Sequence, residues 1–495
     1  NNSFNIVIRT NFFTLITVYT FCGIKLRISE FVKSFFNRNC FRRTGINTGK
    51  TSVTLSTNFS FDTPSIYPEV QKKYAQGSSG AYSHSSSLSW GPEISKLPDD
   101  PKYGGNVSNS YTDAEGLHQG MYYQPQRATA GLDPWTKPQV YDNYRDFIKT
   151  GHTFGNSVSV AHNAGTSNFI LSLGNANSTG IVDGTYSKRY NARFASEAKL
   201  NPYFTAGFNG SFVQSEISKQ SGANDGILAG LYHTPANYDL KGIPCHEPGD
   251  PTAQITFRNL TFNNPYWAVD NNFFGEKSQR FFGNAYLDYK TDFNSSAHSL
   301  DLKYQIGVDA YTTLYTDMFG YGSKGTKGEI DEMSYTSNQL NSLITANYAW
   351  AINDNWNLTA LIGNEIVYGQ GTMLDAYGNE YCFSGWNHLN NVKSYSSGKS
   401  YGRNLTFGTF GEIAADYKSM LFLNATFRSD YVSSMPHGNR TFTYPSVSAG
   451  FIFTELDAIK NKVLTYGKIR ASYAEVGQAG NYVESYYSTP GFGGG

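Results

Sequence analysis

Alternation of side chains between residues 186 and 216 constrains the fold of this chain more than any other feature. In the first arm the even positions are mostly apolar and the odd positions are charged or polar; the same period of two resumes after the turn at Asn201-Pro202. Two alternating arms joined by a tight turn predict a β-hairpin with one apolar and one polar face. The apolar positions are Tyr186, Tyr190, Ala192, Phe194, Ala198, Leu200, Phe204, Ala206, Phe208 and Phe212.

The length of the arms points to a membrane. Each arm exceeds the usual strand of about five or six residues and matches the roughly 9–11 residues that a tilted strand needs to cross the hydrocarbon layer. The chain has no apolar run of about 18 residues, the length of a helical span. Strands closed into a barrel are then the remaining way to cross a bilayer.

Composition agrees with a barrel and argues against a nucleic-acid partner. Lys+Arg and Asp+Glu both total 39, so the formal net charge is +0 and no basic field would attract a polyanion. Charged residues make up only 16% of the chain, below the roughly 25% of soluble domains. An outer wall against lipid with an inner wall that is polar but sparsely charged would account for this.

The same pattern predicts roughly thirteen strands. An odd number cannot close a usual single-chain bacterial barrel. We therefore expect an all-β protein, an incomplete antiparallel outer-membrane β-barrel that forms an open curved sheet. Its edge strands would be residues 51–61 and 464–474, and its lumen would hold no plug. The other predicted strands are residues 154–161, 168–173, 186–200, 203–216, 280–290, 299–311, 342–350, 356–368, 405–417, 421–429 and 442–453.

Connections between these strands alternate between short turns and long polar loops, as in outer-membrane barrels. Long loops are expected at residues 78–127, 222–272 and 369–402, all on one side, which we assign to the extracellular face. Two short helices are also predicted. Pro68 and Gly77 bracket the first, at residues 69–76, and apolar spacing indicates the second, at residues 140–148.

Alternation also predicts which way particular side chains point. Leu302, Ile306, Phe194 and Phe208 should face lipid, because a charge there would cost roughly 2–4 kcal/mol at mid-bilayer. Arg193, Glu197, Lys303 and Asp309 should face the interior.

Three regions follow from this reading. Residues 1–46 form an atypical N-terminal segment that is not part of the barrel; we interpret it as an artefact of where the reading frame was cut rather than as a signal peptide. Residues 47–482 form the partial barrel. Residues 483–495 form a flexible tail.

Several motifs resemble those of one family. They are Pro68 to Gly77, Ser89-Trp90-Gly91-Pro92, Asn264-Pro265-Tyr266-Trp267, Tyr444 to Phe451, and Lys468 to Ala474. Their order and spacing resemble the SusC/RagA-type TonB-dependent outer-membrane transporters. The resemblance implies a 22-stranded barrel with an N-terminal plug, energised by TonB and paired with a SusD-like surface lipoprotein that captures glycans or peptides. It also implies the outer membrane of a Gram-negative bacterium of Bacteroidetes type. The family's plug and TonB box are expected outside this chain.

Site chemistry favours binding over catalysis. The chain lacks G-x-S-x-G, H-E-x-x-H and Walker sequences, so we expect no enzyme, no catalytic residues and no cofactor. Cys245 beside His246 cannot complete a tetrahedral site, so no metal is expected. Four tryptophans in the expected loops could stack on sugars or clasp peptides: Trp90, Trp135, Trp267 and Trp386. The favoured alternative is that they pack loop against loop or against a lipoprotein.

Two other readings of the pattern stay open. One is a passive porin-like or structural outer-membrane barrel without energy coupling. The other is a soluble all-β protein whose apolar strand faces are buried against a second sheet.

Overall fold

A computed structural model describes residues 49–99, 120–222, 226–258, 262–293, 297–436, 438–456, 459 and 465–477. The expectations for residues 1–46 and 483–495 lie outside these described residues. The three-part division of the chain therefore stays a prediction.

One large antiparallel sheet of 13 strands dominates the structure, and each strand pairs with its neighbour in chain order. The sheet runs from β1 to β13 without closing, so the predicted strand number and the open sheet with β1 and β13 at its edges are both confirmed. The strands are β1 (Lys50–Asp62), β2 (Gly151–Asn163), β3 (Ser167–Thr179), β4 (Tyr186–Lys199), β5 (Phe204–Lys219), β6 (Phe273–Phe293), β7 (His298–Phe319), β8 (Glu329–Asn353), β9 (Trp356–Tyr381), β10 (Val392–Tyr417), β11 (Leu421–Val432), β12 (Thr441–Ile452) and β13 (Lys468–Ala474).

The two faces of this sheet differ as the alternation predicts. We call them the apolar face and the polar face. Leu302, Ile306, Phe194 and Phe208 are exposed on the apolar face. On the polar face the Tyr286 hydroxyl donates to the Glu197 carboxylate, and the Lys303 ammonium lies 4.5 Å from the centre of the Tyr286 ring. The predicted division of these residues between two faces is confirmed; that one face meets lipid and the other the interior stays a prediction.

Strands β8, β9 and β10 are 25, 26 and 26 residues long. The loop expected at residues 369–402 is therefore wrong for most of its length, since only residues 382–391 connect β9 to β10. Tyr395 and Tyr401 in this extension are exposed. Both faces carry polar side chains there, so the contrast between faces that marks a strand disappears.

The sheet has two unlike ends. At the turn end, short connections join the strands: residues 164–166, 200–203, 294–297, 354–355 and 418–420, with 453–467 as the exception. At the other end, the cap end, lie the described parts of the two long excursions: residues 63–99 and 120–150 of the first, and residues 220–222, 226–258 and 262–272 of the second. The shorter connections 180–185, 320–328, 382–391 and 433–440 also lie there. The expectation that the first two long loops share one side is met.

Short elements form within the excursions. The α-helices are α1 (Pro125–Thr129), α2 (Asn143–Phe147), α3 (Ile227–His233) and α4 (Pro265–Asn271), and short 3-10 helices lie at Ile94–Asp99, Ser323–Gly325, Leu389–Asn391 and Phe453–Glu455. Two-stranded ribbons pair Gly77–Ser78 with Ala81–Tyr82, Tyr122–Tyr123 with Trp135–Thr136, and His246–Glu247 with Asp250–Gln254. The helices of the described ranges are too short or too polar to span a membrane.

The helix predicted at residues 69–76 is wrong, whereas α2 forms within the second predicted helix. The backbone of residues 73–77 instead pairs with residues 88–94: Ala75 N donates to Pro92 O at 2.8 Å and Gly91 N donates to Ala75 O at 2.9 Å. Gly77 adopts φ +139°, and a Cβ there would lie 2.0 Å from the carbonyl oxygen of Ala81. Gly77 therefore begins a tight ribbon turn rather than ending a helix.

Candidate functional site

The polar face carries ion pairs set into the wall of the sheet. Arg280 on β6 donates through Nε to Asp309 Oδ1 on β7 at 2.8 Å, and its Nη2 donates to the other carboxylate oxygen. On β11, Arg428 contacts Asp430 at 2.8 Å and reaches Glu365 on β9 at 2.9 Å. Cross-strand pairs hold these side chains at fixed positions, so the face presents ordered charges to whatever lies against it.

A third group lies nearer the turn end. Lys290 on β6 contacts Asp288 at 3.1 Å and Asp301 on β7 at 3.0 Å. Asp288 is buried, and its Oδ1 has no hydrogen-bond partner among the described residues. The polar face thus combines charge with partial burial, as expected for the interior of a barrel rather than for a freely solvated surface.

The two long excursions fold together into a compact layer, which we call the cap: residues 63–99, 120–150, 226–258 and 262–272. Its larger core includes Phe147, Leu231, Tyr238, Phe257 and Ala268, all buried. A smaller core brings Ala236 from the second excursion against the first, beside Ala75, Tyr82, Ile94, Leu97 and Tyr122. Each core takes residues from both excursions, so neither excursion could fold this way alone.

Buried polar contacts join the same two excursions. Asn237 accepts the backbone N–H of Gln76 at its Oδ1 (2.8 Å), and its carbonyl oxygen accepts the Tyr122 hydroxyl (3.0 Å). Asn143 Nδ2 donates to Tyr238 O at 3.1 Å, while its Oδ1 accepts the N–H of Leu240 at 3.3 Å. Buried backbone groups that lack a strand partner are satisfied here by side-chain amides, which makes the cap a defined structure rather than a mobile loop.

The cap extends across the sheet to the connection between β7 and β8. Gln254 Nε2 donates to Gly322 O at 2.9 Å, and Asn263 Nδ2 donates to Ser323 Oγ at 3.0 Å. Val182 from the connection between β3 and β4 packs against the larger core. One layer therefore covers the cap end from β1 to β8.

Tyrosine hydroxyls buried in the cap are held neutral. Burial raises the pKa of Tyr82, Tyr122 and Tyr238 well above the usual tyrosine value. Burial, followed by the nearby carboxylates of Asp146, Asp239 and Asp183, raises the pKa of Tyr266 to about 12. These groups serve the packing of the cap and provide no acid or base near neutral pH.

The four tryptophans predicted to bind substrate differ in their surroundings. Trp90 is 66% exposed, with its ring 6.2 Å from that of Tyr74. Trp135 is half-buried against Tyr123 at 5.6 Å. Trp386 is 45% exposed in residues 382–391, stacked on His388 at 5.1 Å.

Trp267 differs from the other three. It belongs to α4 rather than to an open loop, it is completely buried, and its indole N–H donates to Pro251 O at 2.7 Å. Its position is that of a packing residue in the cap. Substrate binding by the tryptophans stays a prediction, which we carry forward for the exposed Trp90 and Trp386.

Sequence reasoning missed the cap itself. The contacts that build it join residues about 90 to 180 positions apart, such as Gln76 Nε2 with Phe257 O and Asn143 with Pro235 O. Asparagine and glutamine side chains carry these contacts, and no periodic pattern marks them. The Asn264-Pro265 pair was the available signal, since it starts α4: the Asn264 side chain accepts the N–H of Tyr266.

Comparison with solved structures connects this architecture to known transporters. A chain of the RagAB peptide importer in its 'closed-closed' state superposes with a TM-score of 0.64, at 18% sequence identity over 88% of this chain. The chain has the fold of part of the RagAB importer chain. A second structure, the 'open-open' state, gives a TM-score of 0.60 at 16% identity over 87% of this chain. The family resemblance is confirmed at the level of the fold, whereas the 22 strands and the plug that it implies stay predictions.

The likeness covers only part of the RagAB chains. This chain covers 48% of the first RagAB chain and 47% of the second, so it spans about half of the length of the chains that it matches. No protein-family model matches the sequence, and neither does any curated protein.

Proposed function

We propose that this chain is part of the barrel of a TonB-dependent importer in the outer membrane of a Gram-negative bacterium of Bacteroidetes type. The observation that carries the proposal is the RagAB-like arrangement of a 13-stranded sheet with one apolar and one polar face. In this proposal the apolar face contacts lipid and the polar face lines the transport path, because charge is tolerated in the lumen and costly against lipid.

The proposed cargo is an oligomeric nutrient, a glycan or a peptide, and the proposed partner is a SusD-like surface lipoprotein. The structural neighbour is a peptide importer, which favours peptides. At the cap end, Trp90 of the cap and Trp386 of the connection 382–391 present exposed aromatic surfaces that could contact cargo or the lipoprotein. We propose no enzymatic role for the chain. Energy coupling through TonB is proposed for the whole protein.

Uptake in cells tests this proposal. Cells that carry the full-length protein as their only such importer would be supplied with fluorescently labelled oligopeptides or oligosaccharides, with TonB either functional or inactivated. We expect one labelled class to accumulate only when TonB is functional. Equal accumulation without TonB would favour a passive porin-like barrel, and accumulation of neither class would contradict import of these nutrients.

A further inference from the structure

Arg258 in the cap is a buried cation without a counter-ion among the described residues. It is 8% exposed, and its guanidinium carbon lies 3.3 Å from the centre of the Phe262 ring and 5.3 Å from that of Phe257. Its Nε and Nη2 atoms are buried and have no hydrogen-bond partner in the part of the chain that the structure describes. The rings cover the faces of the guanidinium group, but a cation–π contact cannot satisfy the N–H groups in its plane.

Two other arginines of this chain show what the same nitrogen atoms bind. Arg280 uses Nε and Nη2 to hold both carboxylate oxygens of Asp309. Arg428 uses Nε for Asp430 and Nη2 for Glu365. These two N–H groups form one edge of the guanidinium plane, and their parallel geometry matches a single carboxylate. In Arg258 that edge meets no hydrogen-bond acceptor among the described residues, although both nitrogens are enclosed by the cap.

Electrostatics makes the missing partner significant. Arginine stays protonated in proteins, and a buried charge is normally paired or hydrogen-bonded because desolvation is costly. Burial lowers the pKa of the Arg258 guanidinium, with no described carboxylate acting in the opposite direction. An anion that reached this edge by displacing the atoms that cover it would remove that penalty.

The surroundings of Arg258 connect it to an aromatic surface. Phe262, which covers one face of the guanidinium, lies 6.3 Å from the ring of His233 on α3, and His233 lies 5.8 Å from the 55% exposed Tyr232. A ligand that places a carboxylate at Arg258 would have ring surfaces beside it for its uncharged part.

We propose that the cap binds a carboxylate-bearing ligand through the Nε–Nη2 edge of Arg258. The proposal rests on the proposed function in taking this ligand to be cargo. Two kinds of cargo carry such a group: a peptide at its C-terminus and an acidic sugar at its uronate. Both offer the planar pair of oxygens that Asp309 presents to Arg280.

Binding to the purified full-length protein in detergent, measured by isothermal titration calorimetry, separates these sources. One pair of probes is acetyl-trialanine and its C-terminal amide; the other is glucuronate and glucose. We expect one acid to bind at least about tenfold more tightly than its neutral counterpart, as loss of a charge-assisted bidentate pair predicts. Equal binding of acid and neutral probe in both pairs, or no binding at all, would overturn the proposal.

Variants locate the site. Arg258→Gln should abolish the preference for the acid, and Arg258→Lys, which keeps the charge but loses the edge, should retain only part of it. The matched control is Arg145→Gln, which removes a positive charge from an exposed side chain of the same cap; it should leave the preference unchanged. An unchanged preference in Arg258→Gln would contradict the assignment. Because calorimetry requires no transport, a failed uptake experiment would leave this result standing.

Discussion

The backbone N–H of Gln76 donates to the side-chain oxygen of Asn237 at 2.8 Å, across 161 positions of sequence and inside the buried interface of the two cap excursions. This bond satisfies a buried N–H group of the first excursion with a side chain of the second. It makes the folding of one excursion depend on the other.

Replacing Asn237 tests that dependence. Asn237→Ala leaves the Gln76 N–H buried without an acceptor, so we expect the cap to lose about 1–3 kcal/mol of stability. Limited proteolysis of the full-length protein should then cut within both excursions at once. Asn390→Ala, at an exposed position in the connection 382–391, is the control and should leave the cap resistant. Cleavage confined to one excursion would show that the two are independent.

Arg428 should stabilise the polar face by keeping two carboxylates paired. Its partners Glu365 and Asp430 have side chains only 11% and 15% exposed. Arg428→Gln leaves them adjacent and uncompensated, and we expect a loss of about 1–3 kcal/mol, below the value for a fully buried pair because the arginine is partly solvated. The double variant Arg428→Gln/Glu365→Gln should recover part of it in denaturant unfolding. If the double variant instead lost as much stability as Arg428→Gln and Glu365→Gln lose separately when added together, the two residues would not be coupled.

High pH should loosen the cap. The raised pKa values of Tyr82, Tyr122, Tyr238 and Tyr266 mean that the folded cap holds these hydroxyls neutral. Their contribution to the stability of the cap is fully present below the pKa of an unfolded tyrosine, about 10. It is lost as the pH rises through the pKa values of the folded protein, which is about 12 for Tyr266. Tyrosinate absorbance and protease resistance, followed together, should show ionisation accompanied by cap opening. Ionisation of these tyrosines in a cap that still resists the protease would contradict this prediction.

The tryptophans should divide into two classes. Trp267→Ala removes a fully buried side chain and should cost about 3–5 kcal/mol. Trp90→Ala and Trp386→Ala remove exposed rings and should leave the unfolding midpoint nearly unchanged while weakening cargo or lipoprotein binding. If neither exposed variant alters binding of any cargo or of the lipoprotein, the predicted aromatic binding surface is wrong.

Period-two alternation predicted the sheet well because each strand has one apolar and one polar face, so that residues such as Leu302 and Lys303 differ sharply in chemistry. It failed where β9 and β10 extend beyond that contrast, and Tyr395 and Tyr401 were assigned to a loop for that reason. Local signals also failed at Gly77, where pairing with Tyr82, Leu88 and Trp90 replaced the expected helix end.

The candidate site was less predictable than the sheet. Trp267 was grouped with loop tryptophans because sequence alone does not show that its indole N–H reaches Pro251 O. Arg258 was not singled out at all, since an unpaired guanidinium edge is defined by the absence of near neighbours in space. Only the folded cap shows which of its polar groups remain without partners.

The central claim is that the two faces of the sheet meet different surroundings, lipid on the apolar face and the transport path on the polar face. Spin labels at Ile306 and at Gln305, introduced as cysteines into full-length protein that lacks its native cysteines and is reconstituted in liposomes, would measure this directly. Oxygen concentrates in lipid, so we expect it to relax the label at Ile306, which a water-soluble nickel reagent should not reach. The label at Gln305 should be far less accessible to oxygen in the lipid. Equal exposure of both labels to oxygen, or access of the nickel reagent to Ile306, would contradict the account.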